Sequence, residues 1–160
     1  MTLYLNFDGV LHPDQVVYRE GLTPSLVATG HSAFEHAGLL SEILEQHDEV
    51  ELVLNTWWTF FVCIDSVLEL LPTALASRVV DTTLECSSRY DSLPSRSKEA
   101  ERHIASKNKR QVLVLDNSNS RYSRDLIPHM LLVDPTVGLA SIAARRALAR
   151  RISLTPLLPN

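Results

Sequence analysis

The chain has 160 residues, of which 45% are hydrophobic and 21% charged, the balance of one globular domain large enough to bury a core. A net charge of −4 excludes a global field that would draw it to nucleic acid or an anionic membrane. No apolar run reaches about 18 residues and no basic-then-apolar leader opens the chain, so a cytoplasmic protein without membrane contact is expected.

In chain order, apolar runs alternate with helical patterns, as in a parallel sheet covered by helices. Leu3–Phe7 reads as the first strand. A polar stretch with Pro and Gly follows from His12 to His31, containing Tyr18 and Arg19. Ser32–Gln46 carries Phe34, Ala37, Leu40, Ile43 and Leu44 at helical spacing. Glu51–Asn55 is the second strand, and a helix over Phe60–Leu71 stops before Pro72. A short strand near Val79–Val80, a charged helix over Ser95–Ser106 and a strand Gln111–Asp116 come next. Met130–Val133 makes a fifth strand and Gly138–Ile152 a closing helix. Residues 1–153 are thus expected to form one domain, with 154–160 as a tail. Arg145, Arg146, Arg150 and Arg151 in the last helix read as a solvated face. Cys63 and Cys86 lack CxxC or metal-ligand spacing and read as reduced thiols.

The first strand runs straight into Asn6-Phe7-Asp8-Gly9. Side chains at i and i+2 point the same way from a strand end, and Gly9 permits a sharp turn. Asn55 and Thr56 end the second strand, and Asp116 and Asn117 end the strand over Gln111–Asp116. Ligands of open α/β sheets bind outside such carboxyl ends. Taken singly, Asn6 reads as a turn cap and Asp8 as an Asx-turn residue. Trp57 and Trp58 read as packing residues, His12 as a solvated loop histidine, and His31, His36, His47, His103 and His129 as surface or helix-packing groups. Arg121, Tyr122 and Arg124 fit either a phosphate contact or an exposed loop.

Taken together, these strand ends resemble the haloacid dehalogenase-like (HAD) phosphohydrolases. The DGVLHP of Asp8–Pro13 and the GLAS of Gly138–Ser141 are similar to the small HAD domains associated with bacterial RNA-repair proteins. The resemblance implies a Rossmann-like three-layer α/β sandwich with a five-stranded, mostly parallel sheet and no large cap. It implies Mg²⁺-dependent phosphoester hydrolysis, with the metal on the Asn6 position, Asp8, Asp116 and Asn117. Asp8 would act as general acid/base. Thr56, or Asn55 in a shifted register, would hold a phosphoryl oxygen, and the substrate would also meet the turn at Gly9. Lys98, with Arg96 as the competing choice, would neutralise developing charge. Two positions depart from the family pattern. The nucleophile Asp is Asn6, whose neutral amide has no comparable attacking oxygen, and the second acid after the fourth strand is Asn117. The implied function is a phosphohydrolase-type domain impaired at its attacking group; the alternative is a HAD-fold binding or regulatory module. The short insertions leave a cleft open to a bulky phosphorylated substrate such as a nucleic-acid end.

Overall fold

The computed structural model describes residues 1–154. Its centre is β1 (Thr2–Leu5), flanked by β4 (Glu51–Leu54) and β6 (Val112–Asn117), all fully or largely buried. β5 (Val79–Thr82) and β7 (Met130–Val133) form the two edges, giving the order β5-β4-β1-β6-β7 with every pairing parallel. This is the Rossmann-like α/β sandwich that the strand pattern predicts, without a large cap.

Strand alternation sorts the core into two layers. Leu3, Leu5, Leu52, Leu54, Leu113 and Leu115 face one side, where Leu40 and Leu44 of α1 (Ala37–Leu44) and Leu148 and Ile152 of α6 (Ile142–Leu154) cover them. Tyr4, Val53, Val112 and Val114 face the other, against Ala100 and Ile104 of α5 (Arg96–Ser106). The chain leaves β1 toward β4 on one side and returns through β6 on the other, so the topological switch falls at β1. Leu5 pairs with both Leu54 and Leu115, and the residues that follow all three emerge side by side.

Three helices differ from the periodicity, each for a packing reason. Helix is expected from Ser32, but α1 starts at Ala37 because Phe34 takes φ +62°. That twist lets Phe34 pack its ring on Phe7 and Trp58 and turn its N–H onto His12. The helix expected over Phe60–Leu71 is broken into α2 (Trp58–Phe61) and α3 (Ile64–Glu69), with Val62 extended between them. Phe60 and Phe61 pack with Leu84 while Val67 joins the main core, and one straight helix does not bury both sets. A further short helix, α4 (Thr73–Ala76), precedes β5. At the closing helix, Gly138 has φ +52° and a Cβ there would lie 2.5 Å from Val10 O. A 3-10 turn over Gly138–Ala140 results, and α6 begins only after Ser141, whose Oγ accepts from Ala144 N (3.2 Å). The stretch 12–31 holds a two-stranded hairpin, β2 (Val16–Val17) and β3 (Ser25–Leu26). The expected tail lies outside the described residues except Leu154, which closes α6.

Candidate active site

The carboxyl ends of β1, β4 and β6 bring Asn6, Asp8, Asn55, Thr56, Asp116 and Asn117 together. Asp116 is fully buried and accepts from every side. Asn6 Nδ2 (2.8 Å) and its neighbour's backbone, Asn117 N (2.8 Å), donate to Oδ1. Arg96 Nη1 (2.7 Å) and Tyr122 Oη (2.7 Å) donate to Oδ2. Burial works against the Arg96 charge, but Asp116 outweighs it and holds the guanidinium pKa above its usual value. Burial, then the Asp116 charge, pushes the Tyr122 phenol up, so it stays a donor.

Asp8 sits after the strand end with its side chain 13% exposed. Trp58 Nε1 (2.8 Å) and His12 Nε2 (3.1 Å) meet Oδ1, and Tyr18 Oη donates to Oδ2. Burial first, then the Asp8 charge, pushes the Tyr18 phenol up and keeps its proton on. Phe34 N donates to His12 Nδ1 (3.1 Å). That leaves the ring hydrogen on Nε2, facing Asp8. The carboxylate is therefore held by three side-chain donors from two loops and one short helix.

Gly9, at φ +74°, makes this approach possible. A Cβ there would lie 2.8 Å from Asn117 Cβ and 2.9 Å from Pro135 Cα, so only glycine lets the turn after β1 close against the end of β6.

Asn6 is where the chemistry departs from the expected pattern. Its Nδ2 donates both to Asp116 Oδ1 and to Asp8 O (2.8 Å each), while its Oδ1 is buried with no hydrogen-bond partner. Mg²⁺ takes oxygen ligands in a near-octahedral shell. Turning the amide over exchanges its two ends and sets Asn6 Oδ1 beside Asp8 O and Asp116 Oδ1, three oxygens that a cation reconciles and a hydrogen bond does not. The residues fit a divalent cation in that turned arrangement. In the observed one an N–H takes the same position. No group of three or more His, Cys, Asp or Glu side chains among the described residues is placed to hold a metal.

Several expected site residues sit differently. Lys98 is exposed; two positions along a helix from Arg96 is a turn of about 200°, so only Arg96 enters the cleft. Asn117 does not offer an oxygen to the cation position: its Oδ1 accepts from Asn119 N (2.9 Å) and its Nδ2 donates to Asp8 O (2.8 Å). The Gly9 N–H is committed to His12 O (2.8 Å). Asn55 is buried, donating to Tyr122 Oη (2.9 Å) and accepting from Thr83 Oγ1 (2.7 Å), bonds that orient Tyr122. Thr56 is fully buried beside it, its Oγ1 accepting a long bond from Trp58 N (3.4 Å). His12, read as solvated, is fully buried. Trp58 is packed as expected yet also spends its N–H on Asp8, and Trp57 lines the cleft with Arg96 over its ring at 5.5 Å. Tyr18 carries no sequence signal beyond its place in a polar loop.

The cleft consists of a space of about 310 Å³ lined by Asp8, Asp14, Tyr18, Trp57, Arg96 and Asn117, next to one of about 140 Å³ reaching Asp116, Arg121 and Tyr122. A larger cavity, about 450 Å³, lies away from these groups between β5 and α5, where His103 and Lys107 meet Asp81. No helix among the described residues is long and apolar enough to cross a membrane.

Comparison with known proteins leads the same way. No curated protein and no solved structure matches the chain. A family model does: that of the HAD domain in Swiss Army Knife RNA repair proteins, over residues 2–144. Since the match runs from the first residue of β1 into α6, across the whole parallel sheet, the chain belongs to this family of HAD domains from RNA repair proteins.

Proposed function

We propose that the domain holds a phosphorylated nucleic-acid end at the carboxyl edge of its sheet and hydrolyses the phosphoester slowly. The observation that carries this reading is the double hydrogen bond of Asn6 Nδ2 to Asp116 and Asp8 O. A neutral amide tied inward by two bonds offers phosphorus no attacking oxygen. The route left is water. Asp8, oriented by Trp58, His12 and Tyr18, accepts the proton as water adds, and the leaving oxygen takes a proton from solvent. Arg96, which lines the cleft, supplies positive charge for the phosphoryl oxygens. Mg²⁺, when bound at Asn6, Asp8 O and Asp116, would offset the charge of the phosphate. Because the insertion after β1 is a small hairpin of β2 and β3 whose Val16 lines the cleft, a long polymer end fits better than a metabolite that must be enclosed.

A second reading, binding without turnover, is supported by the three donors that engage the Asp8 carboxylate. The test is turnover of p-nitrophenyl phosphate and of oligonucleotides with 5′ or 3′ phosphates, with Mg²⁺, by the chain and by Asn6→Asp. Slow turnover that rises by at least about 100-fold in the variant supports the proposal, since losing a nucleophile costs up to about 10⁶ in rate. Tight oligonucleotide binding with an inert Asn6→Asp favours the second reading. Activity indifferent to both Asp8→Ala and Asp116→Ala would place the reaction elsewhere.

A further inference from the structure

The two cysteines of the chain, read from sequence as reduced thiols and 23 residues apart, come together at the surface. Cys63 precedes α3 and Cys86 follows β5. Both are exposed, and their sulfurs are 3.6 Å apart. A disulfide needs about 2.0 Å between sulfurs, so the pair must close by about 1.6 Å. Neither cysteine lies in a strand of the central sheet. No third cysteine competes for pairing.

The position of the pair gives it a consequence. Cys86 opens a segment that runs along α2 to the start of α5. Ser87 N bonds Phe60 O (3.0 Å), Tyr90 stacks on Phe61 at 5.2 Å, and Pro94 O accepts from Trp57 Nε1 (3.1 Å). Tyr90 Oη also accepts from Gly21 N (3.3 Å) in the hairpin loop. Phe61 in turn packs on Tyr18, which holds Asp8, and the segment ends at Arg96. These ties are single hydrogen bonds and ring contacts on an exposed stretch, the class of structure that opens locally at little free-energy expense.

We propose that Cys63 and Cys86 form a thiol–disulfide exchange site, closed by a low-molecular-weight disulfide of the glutathione type, which fastens residues 86–95 to the wall of the cleft. One cysteine thiolate attacks a sulfur of the oxidised glutathione, forms a mixed disulfide and releases one glutathione thiolate. The second cysteine thiolate attacks the protein sulfur of that mixed disulfide, forms the Cys63–Cys86 bond and releases the other glutathione. The protein is oxidised by two electrons and the small disulfide is reduced by two. Burial, then the neighbouring Cys63 sulfur, holds the Cys86 thiol above its usual pKa, so closure speeds up as pH rises.

The experiment treats the whole chain with oxidised glutathione and reads intact mass, free-thiol count, thermal melting and the rate of tryptic cleavage after Arg89. The expected product is a monomer lighter by two hydrogens, with its two thiols lost. It melts higher, is cut several-fold more slowly at Arg89, and is restored by dithiothreitol. Cys63→Ser and Cys86→Ser should each stop at a single glutathione adduct. A wild-type product that carries glutathione, or that forms a disulfide-linked dimer, overturns the pairing. An internal disulfide that leaves cleavage at Arg89 unchanged overturns the fastening of the segment.

Discussion

Asn6 concentrates the tension between inherited geometry and altered chemistry. Its side chain stands where the resemblance expects a carboxylate, yet it acts as a donor to two oxygens that would otherwise share a cation. Asn6→Asp removes both hydrogen bonds and sets a second carboxylate against the buried Asp116. Without metal the variant is expected to lose on the order of 2–3 kcal/mol. Millimolar Mg²⁺ should restore most of that loss in the variant and shift the parent chain far less. Thermal melts with EDTA and with Mg²⁺ check this; equal Mg²⁺ responses in the two proteins would show that the amide does not stand in the cation's position. The approximate whereabouts of Asn6, Asp8 and Asp116 was legible because Asn6 and Asp116 each end a continuous apolar run and Asp8 follows Asn6 by two residues. The donors around them were not. Tyr18, His12, Trp58 and Tyr122 come from loops and a short helix with no periodicity to place them, and they reach the two acids only once the sheet has formed.

At the level of elements, the turn between β1 and its carboxyl edge sets how close the two acid-bearing strands come. Gly9→Ala forces a Cβ to 2.8 Å from Asn117 Cβ and 2.9 Å from a backbone carbon, in a left-handed conformation. Gly21, likewise left-handed at φ +67°, has open space around it. Gly21→Ala is therefore expected to cost about 1–2 kcal/mol for the backbone conformation alone. Gly9→Ala should cost at least about 2 kcal/mol more, since strain and displacement of β6 add to it. Denaturant unfolding of the two variants measures the difference; equal losses would mean that the turn yields freely. Strand positions were read well from the sequence because a buried parallel strand needs an unbroken apolar run. Helix phase was not. Arg96 and Lys98 both belong to a charged helix, and which one faces the cleft depends on how α5 lies on Tyr4, Val53 and Val114, a contact invisible to local spacing.

For the molecule as a whole, two buried histidines set the expected response to acid. Burial lowers the pKa of His129 from 6.5, against an opposing backbone hydrogen bond with Val112 and with help from Arg151. Burial likewise lowers that of His36 from 6.5, with Glu35 opposing and His12, His31 and Arg145 adding to the fall. Below about pH 6.5 the unfolded chain therefore binds more protons than the folded one. The stabilisation is full above that pH and is lost as pH falls toward the lower folded values. Urea midpoints should drop between pH 7.5 and 5, and His129→Gln should flatten the drop. A midpoint that is level across this window in the parent chain would contradict the burial argument.

Taken by itself, the amino-acid order determined the sheet, its parallel sense and the acids at its carboxyl edge, because apolar runs and strand-end residues are local properties that burial enforces wherever the strand lies. Only the tertiary structure decided what those acids touch. Asp116 met Arg96 rather than Lys98, Asp8 gained three donors from two loops and a short helix, and Cys63 came to rest against Cys86. Such pairings join segments far apart in the chain, and their partners are set by how helices and loops settle on the sheet, which no short window of residues encodes.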